Sequence, residues 1–239
     1  MRLSLPLLSA VLVCDAFLAP SPHVRSTSLT TLLQALKGGT AEGSVPKMPW
    51  EAFYDKMAAT YDEVIFGPVI EDQHFAEGVK LFLKRISETQ GSILDVGCGT
   101  GLLKERLPRD FEFTGVDVSS EMLKRAAQRG YKVIHKPAED ALEEMADNSF
   151  DYVVALCSLS FVEDFPRVLA NMQRVARKGI VLSIDRVEEG YRSQFAAKLY
   201  DHSDFEFQGA QDDYFIKGWT SSSTGIAIQT RMIYIPLSN

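Results

Sequence analysis

Cysteine is scarce in this chain, with three in 239 residues. Cys14 sits in the first apolar run. Cys98 and Cys157 have no metal-ligand spacing, so neither a disulfide framework nor a thiolate zinc site is available. Basic charge is also short. Twenty-five Lys and Arg stand against 32 Asp and Glu, a net charge of −7. A domain that grips nucleic acid through its phosphates needs a basic face, so DNA or RNA is not expected as the main partner. There is no internal repeat, and no low-complexity tract outside the leader. The apolar run Leu3 to Cys14 is too short to span a bilayer, and no transmembrane segment is expected in the mature chain. What remains is ordinary for a globular protein: 46% hydrophobic and 24% charged residues. The length suits one α/β domain with an extension.

Residues 1–41 read as a leader and linker. Met1-Arg2 is a short basic start, and Leu3 to Cys14 suits a signal-peptide core. From Ala16 to Ala41 there is no Asp or Glu, and hydroxyl residues are common, as in a transit peptide. With Asp15-Ala16-Phe17-Leu18-Ala19-Pro20 between them, the two parts resemble the bipartite leaders of plastid proteins in algae with secondary plastids. The expected destination is therefore a complex plastid, and a secretory or mitochondrial leader is the alternative. Residues 42–239 keep 22 basic and 31 acidic residues, a net charge of −9.

After the linker 37–44, residues 49–66 and 71–88 read as two helices broken by Gly67-Pro68. Phe53, Met57 and Tyr61 fall at four-residue spacing, as on one helical face. Strands and helices then alternate: strands over 92–96, 111–118, 131–135, 152–157 and 179–184, with helices over 102–107, 121–128, 165–176 and 191–200. A loop and short helix occupy 138–145. Strands over 213–219 and 226–235 close the chain as a hairpin. Continuous apolar strands alternating with amphipathic helices predict a Rossmann-like α/β fold. Its sheet has seven strands, mostly parallel, with one antiparallel strand from the C-terminal hairpin and helices on both faces. The expected division is 42–90 as N-terminal lid helices and 91–239 as the core.

The most specific motif is Ile93-Leu94-Asp95-Val96-Gly97-Cys98-Gly99-Thr100-Gly101, a strand running into three alternating glycines and a helix start. Glycine lets the backbone turn sharply and approach a ligand closely. The end of the first strand is where open α/β sheets bind ligands. Leu102 occupies the position that a dinucleotide-binding loop gives to glycine, which disfavours an NAD-dependent oxidoreductase. Asp117 ends the second strand, 16 positions after Gly101. An ionised carboxylate there accepts from both hydroxyls of a ribose. Pro137-Ala138-Glu139-Asp140 follows the third strand, and Asn148-Ser149-Phe150-Asp151 opens the fourth.

In order and spacing, residues 50–185 resemble the class I S-adenosylmethionine-dependent methyltransferases, especially the small-molecule enzymes called type 11. The resemblance implies S-adenosylmethionine as cofactor. It implies that Gly97, Cys98, Gly99, Thr100 and Gly101 hold the methionine portion and that Asp95 supports the loop and the amino group. Asp117 then holds the ribose, Val118 and Met122 pack on adenine, and Ala138 and Glu139 meet the adenine edge. Leu156 and Cys157 lie beside the sulfonium, and Tyr54 and Tyr61 match the tyrosines of a lid helix. Two positions depart from the family. Pro137 stands where relatives often carry Asp, so that Glu139 or Asp140 would substitute. Leu159-Ser160-Phe161-Val162 stands where many relatives carry a histidine pair.

Methyl transfer from a sulfonium is an in-line displacement that asks the protein mainly for positioning and desolvation. Should the acceptor need deprotonation, Tyr61, His74, Asp185 and His202 are the candidate bases. Phe161, Arg186 and Tyr191 are candidate substrate contacts. Arg186 would clamp an anionic group, unless it pairs with Glu188 or Glu189. With Phe53, Tyr54, Phe66 and Tyr214, the aromatic residues suggest a partly apolar small-molecule acceptor, such as a quinol or another plastid metabolite. The same features fit a second reading, a methyltransferase fold acting as a partner subunit.

Overall fold

The computed structural model describes residues 49–62, 73–107, 110–186, 199–220 and 227–237. The leader, Phe66 and Tyr191 lie outside them. Two helices come first, α1 (Trp50–Met57) and α2 (Gln73–Arg85). Then come β1 (Gln90–Val96), α3 (Leu102–Arg106), β2 (Asp110–Asp117), α4 (Ser120–Gln128), β3 (Lys132–His135) and α5 (Ala138–Glu143). β4 (Phe150–Ala155), a 3₁₀ turn (Leu159–Phe161), α6 (Phe165–Val175), β5 (Ala176–Arg186), β6 (Asp212–Thr220) and β7 (Ala227–Pro236) complete the order.

The sheet runs β3-β2-β1-β4-β5-β7-β6. β1 to β5 pair in parallel, and β7 pairs antiparallel with both β5 and β6. This is the expected seven-stranded sheet, with one strand reversed by the hairpin. The strand order changes direction at β1, where the chain crosses from the β2 side to β4. Above the carboxyl ends of β1 and β4 lies the crevice that such a switch point opens.

Successive strand residues point to opposite faces, so each central strand feeds two cores. Leu94, Val153 and Leu182 pack with Leu142, Phe165, Leu169 and Met172 on the α5–α6 side. Ile93, Tyr152, Val154 and Val181 pack with Leu81, Phe82, Leu103 and Leu123 on the α2 side. Burial on both faces is why these strands are apolar throughout rather than alternating. Side chains fix the helix starts. Ser119 Oγ accepts from the Met122 N–H at 3.2 Å, and Asp164 caps α6 through the Arg167 N–H at 3.3 Å.

The first helix departs from expectation. It stops at Met57 instead of running on to 66, so Phe53, Met57 and Tyr61 do not share one helix. The Ala58 carbonyl accepts from the Arg125 guanidinium, and Thr60 N–H turns back to Met57 O at 3.0 Å. With those groups engaged, the chain bends and starts a new helical turn at Tyr61. The helix expected over 191–200 does not reach its end. Residues 191–198 are not described, and the Tyr200 N–H donates to Ser160 O at 2.9 Å from non-helical backbone.

Candidate active site

The glycine loop is shaped by what surrounds it. Gly97 has φ +73°, and a Cβ there would fall 2.3 Å from Ser158 Cβ. The Gly97 and Cys98 N–H groups both reach Val116 O, at 2.8 and 3.1 Å. Ser158, from the segment after β4, donates its hydroxyl to Val96 O at 2.8 Å. The two segments flanking the crevice are thus locked together, and only glycine fits at 97. Gly99, with φ +52°, is the opposite case. A Cβ built there meets nothing within 4 Å, so the backbone faces open space.

That space is a cavity of about 310 Å³. The glycine loop, Asp95, Asp117, Val118, Met122, Ala138 and Glu139 line it from the β1–β3 side, and Leu156, Cys157 and Phe161 from the β4 side. Trp50, Tyr54 and Tyr61 close it from the N-terminal segment.

Two carboxylates face the loop. Asp117 accepts from the Gly99 N–H and the Ser119 N–H, each at 2.9 Å. Burial raises its pKa, and the two amides hold that rise back. Asp95 is deeper, 5% exposed, and accepts from Tyr131 Oη at 2.9 Å. Burial pushes its pKa up to about 7, against the Tyr131 hydrogen bond and with the help of the Asp117 charge. A cation placed beside Asp95 would favour its ionised form.

The N-terminal segment is tied to both cofactor-side loops by aspartates that directly follow the two tyrosines. Asp55 accepts from the Ser119 hydroxyl at 2.6 Å and the Glu121 N–H at 3.1 Å, at the start of α4. Asp62 accepts from the Thr100 hydroxyl at 2.6 Å and pairs with Arg129 at 2.7 Å. Arg129 also donates to Thr100 O at 2.7 Å. The sequence reading gave roles to Tyr54 and Tyr61 and overlooked Asp55, Asp62, Arg129, Tyr131 and Ser158. The repeated Tyr-Asp pair was the available signal for the first two.

Of the candidate cofactor contacts, all but Gly101 line the cavity. Gly101, with φ +80°, is the N-cap of α3 and backs onto Tyr131. Glu139 lines the cavity and Asp140 does not. Among the candidate bases with described side chains, only Tyr61 does. Asp185 is 3% exposed and accepts from the Thr230 hydroxyl between β5 and β7. His202 stacks on Phe165, with centroids 4.7 Å apart, and its Nε2 donates to Val162 O at 2.9 Å. Burial lowers its pKa. Neither Asp185 nor His202 lines the cavity. His74 lies on α2, and its side chain is outside the described ones.

Of the candidate substrate contacts, Phe161 lines the cavity and Arg186 does not. Arg186 pairs with Asp204 and lies over the Phe215 ring. Phe53 is buried and Tyr214 sits exposed on β6, so neither reaches the cavity. Trp50, Glu51, Phe75, Lys136 and Ser158 line it without having been singled out. Burial pushes the Cys98 thiol well up, as expected of a small apolar filler. Cys157 is unusual for its backbone: φ is +58°, and its N–H is held by Ser183 Oγ at 2.7 Å. Such a conformation is rare outside glycine and concentrates at ligand sites.

The comparisons with known proteins agree with this geometry. Residues 94–184 match the family model described as a methyltransferase domain. A phosphatidylethanolamine N-methyltransferase of Cereibacter sphaeroides is 39% identical over 95 residues, covering 37% of this chain and 47% of that protein. A demethylmenaquinone methyltransferase of Staphylococcus aureus is 36% identical over 115 residues, covering 42% and 46%. The chain spans about half the length of these relatives.

Among solved structures, the [4+2]-cyclase SpnF superposes with a TM-score of 0.60 at 14% identity, covering 83% of this chain and 100% of that one. Phospholethanolamine N-methyltransferase 2 of Haemonchus contortus gives 0.58 at 16%, covering 82% and 62%. At those identities the likeness is one of fold.

Residues 94–184 match a methyltransferase domain, and the fold is the one seen in the solved methyltransferase structures. S-adenosylmethionine is the cofactor of its domain, and the site fits it. The open face of Gly99 leaves room for the methionine portion, Asp117 presents a carboxylate for ribose hydroxyls, and Asp95 awaits a cation.

Proposed function

We propose that this protein transfers a methyl group from S-adenosylmethionine to a small-molecule acceptor, with the acceptor bound at the aromatic end of the cavity. The observation that carries this is one continuous cavity, with the open Gly99 backbone and Asp117 on one side and Trp50, Tyr54, Tyr61 and Phe161 on the other. When bound, the cofactor supplies a methyl group already activated on sulfur. The chain's own residues orient the partners and exclude water. No histidine lines the cavity among the described residues, so an acceptor that must lose a proton would hand it to Tyr61, a lining carboxylate or water. The similar proteins named for phosphatidylethanolamine and demethylmenaquinone support a small molecule as the acceptor class.

Calorimetric titration of S-adenosylmethionine and S-adenosylhomocysteine, with NAD as control, tests the reading. Micromolar binding of the two sulfur cofactors alone is the expected result. No binding of any of them would point to the partner-subunit alternative. Pro137, which offers no N–H to an adenine, and the Leu159-Ser160-Phe161-Val162 segment, which carries no histidine, favour that alternative. Turnover of labelled methyl groups over an acceptor panel separates binding from catalysis, a distinction that matters because the same fold carries a cyclase.

Among the described residues no helix is long and apolar enough to cross a membrane. The acid-free stretch from Ala16 to Ala41, behind the apolar run, supports delivery to a complex plastid. A fluorescent fusion of residues 1–48 that stays in the cytosol would overturn that part.

A further inference from the structure

Five aromatic side chains line the cavity: Trp50, Tyr54, Tyr61, Phe75 and Phe161. All are only half-buried, although several touch one another. Trp50 and Phe161 meet at 4.7 Å and 68°, and Tyr54 and Phe161 at 5.7 Å and 87°. Tyr54 and Tyr61 lie 6.3 Å apart at 68°. Rings set near right angles wall a space from several sides, and each of these half-buried rings lines the cavity.

The charge lining the same space is one-sided. Of the lining carboxylates, Asp95, Asp117 and Glu139 lie on the cofactor side and Glu51 on α1 beside the rings, whereas Lys136 is the sole basic residue among the described lining, and it is paired with Glu144. Arg186, the candidate anion clamp, is engaged with Asp204 elsewhere. Nothing described in the cavity is left to neutralise a phosphate or carboxylate on an acceptor. Aromatic faces attract cations, and quaternary ammonium groups are recognised by such cages. A cleft lined by negative charge concentrates cations and repels anions.

Resting on the methyl-transfer reading, we propose that the acceptor is an amine that carries no anionic group. Its methylated ammonium product is held against Trp50, Tyr54 and Phe161. In the transfer, the nitrogen lone pair forms the new N–C bond as the C–S bond breaks onto sulfur. The positive charge passes from sulfonium to ammonium, and any proton on that nitrogen leaves to water. No oxidant or metal is required.

The test uses the full chain and a matched set of small probes. Choline carries a trimethylammonium group, 3,3-dimethylbutanol is its neutral carbon counterpart, and 3,3-dimethylbutanoate is an anion of similar size. The chain has two tryptophans, so Trp219→Phe leaves Trp50 as the single reporter. With the protein saturated by S-adenosylhomocysteine, which has no sulfonium, each probe is titrated by Trp50 fluorescence and by calorimetry. Choline is expected to bind at least about tenfold more tightly than the alcohol, consistent with a desolvated cation over rings, and the anion is expected not to bind. Phe161→Ala is expected to weaken choline about tenfold while leaving S-adenosylhomocysteine affinity unchanged.

Equal binding of choline and the alcohol, or preference for the anion, would overturn the amine assignment. So would choline competing with S-adenosylhomocysteine instead of binding beside it, because the rings would then serve the cofactor itself. If S-adenosylhomocysteine binds and choline does not, the amine assignment fails and methyl transfer stands. If neither binds, the cofactor site fails as well.

Discussion

Two groups of aromatic rings in this molecule have similar contact geometry and opposite fates. Phe82, Phe111 and Tyr152 meet edge to face at 5.7 to 6.3 Å, and all three are at most 3% exposed. Trp50, Tyr54 and Phe161 meet at 4.7 to 6.3 Å and stay half-buried at the mouth of the cavity. The first group fills the space between α2 and the sheet and is sealed from both sides. The second keeps part of its surface exposed and lines the cavity. Edge-to-face contacts alone therefore do not distinguish a core from a binding wall. What distinguishes them is whether the rest of each ring has protein against it.

The largest effect expected from this contrast is at the sealed group. Phe82→Ala removes a fully buried ring and should cost about 3–5 kcal/mol of stability, measured by denaturant unfolding, while cofactor affinity at low temperature stays the same. A loss below about 1 kcal/mol would place the two groups in one class. Next comes the cofactor loop. Gly99→Asp puts a carboxylate into the open space facing Asp117, and Asp117→Ala removes the ribose acceptor. Each should weaken S-adenosylhomocysteine binding by about tenfold or more, as expected for losing hydrogen bonds to a charged group or adding like charge. Melting should shift by only a few degrees. Unchanged affinity in both variants would remove the cofactor from this loop.

A smaller effect concerns pH. Burial raises the folded-state pKa of Asp95 to about 7, so below that value a cationic ligand group must first displace a proton. Affinity for S-adenosylhomocysteine should rise as pH goes from 6 to 8, by up to about tenfold. Asp95→Asn should flatten the profile, and a profile with the same slope in that variant would show another group responsible. Smallest of all, Trp50→Ala should change stability by only about 1 kcal/mol, since its ring is already partly solvated. A loss as large as that of Phe82→Ala would make the cavity wall part of the core.

Much of this architecture was legible in the sequence because it is written in local patterns. Strand and helix positions from β1 through α6 followed from apolar runs and glycine turns, and the glycine loop and Asp117 pointed to the crevice where the cavity lies. The failures fall where long-range contacts decide. Helix α1 reads as continuous past Met57, and only Arg125, 67 positions away, diverts the Ala58 carbonyl. Asp185 and His202 read as possible bases until Thr230 and Phe165 are seen to occupy them.

By itself, then, the sequence determined the order of elements, the doubly covered sheet and the glycine loop at the end of β1, because periodicity and glycine placement act over a few residues. Only the tertiary structure decided which aromatic rings are core and which are wall. It also decided which aspartates brace the lid and which arginine is spent on an ion pair, because burial and pairing depend on residues far apart along the chain.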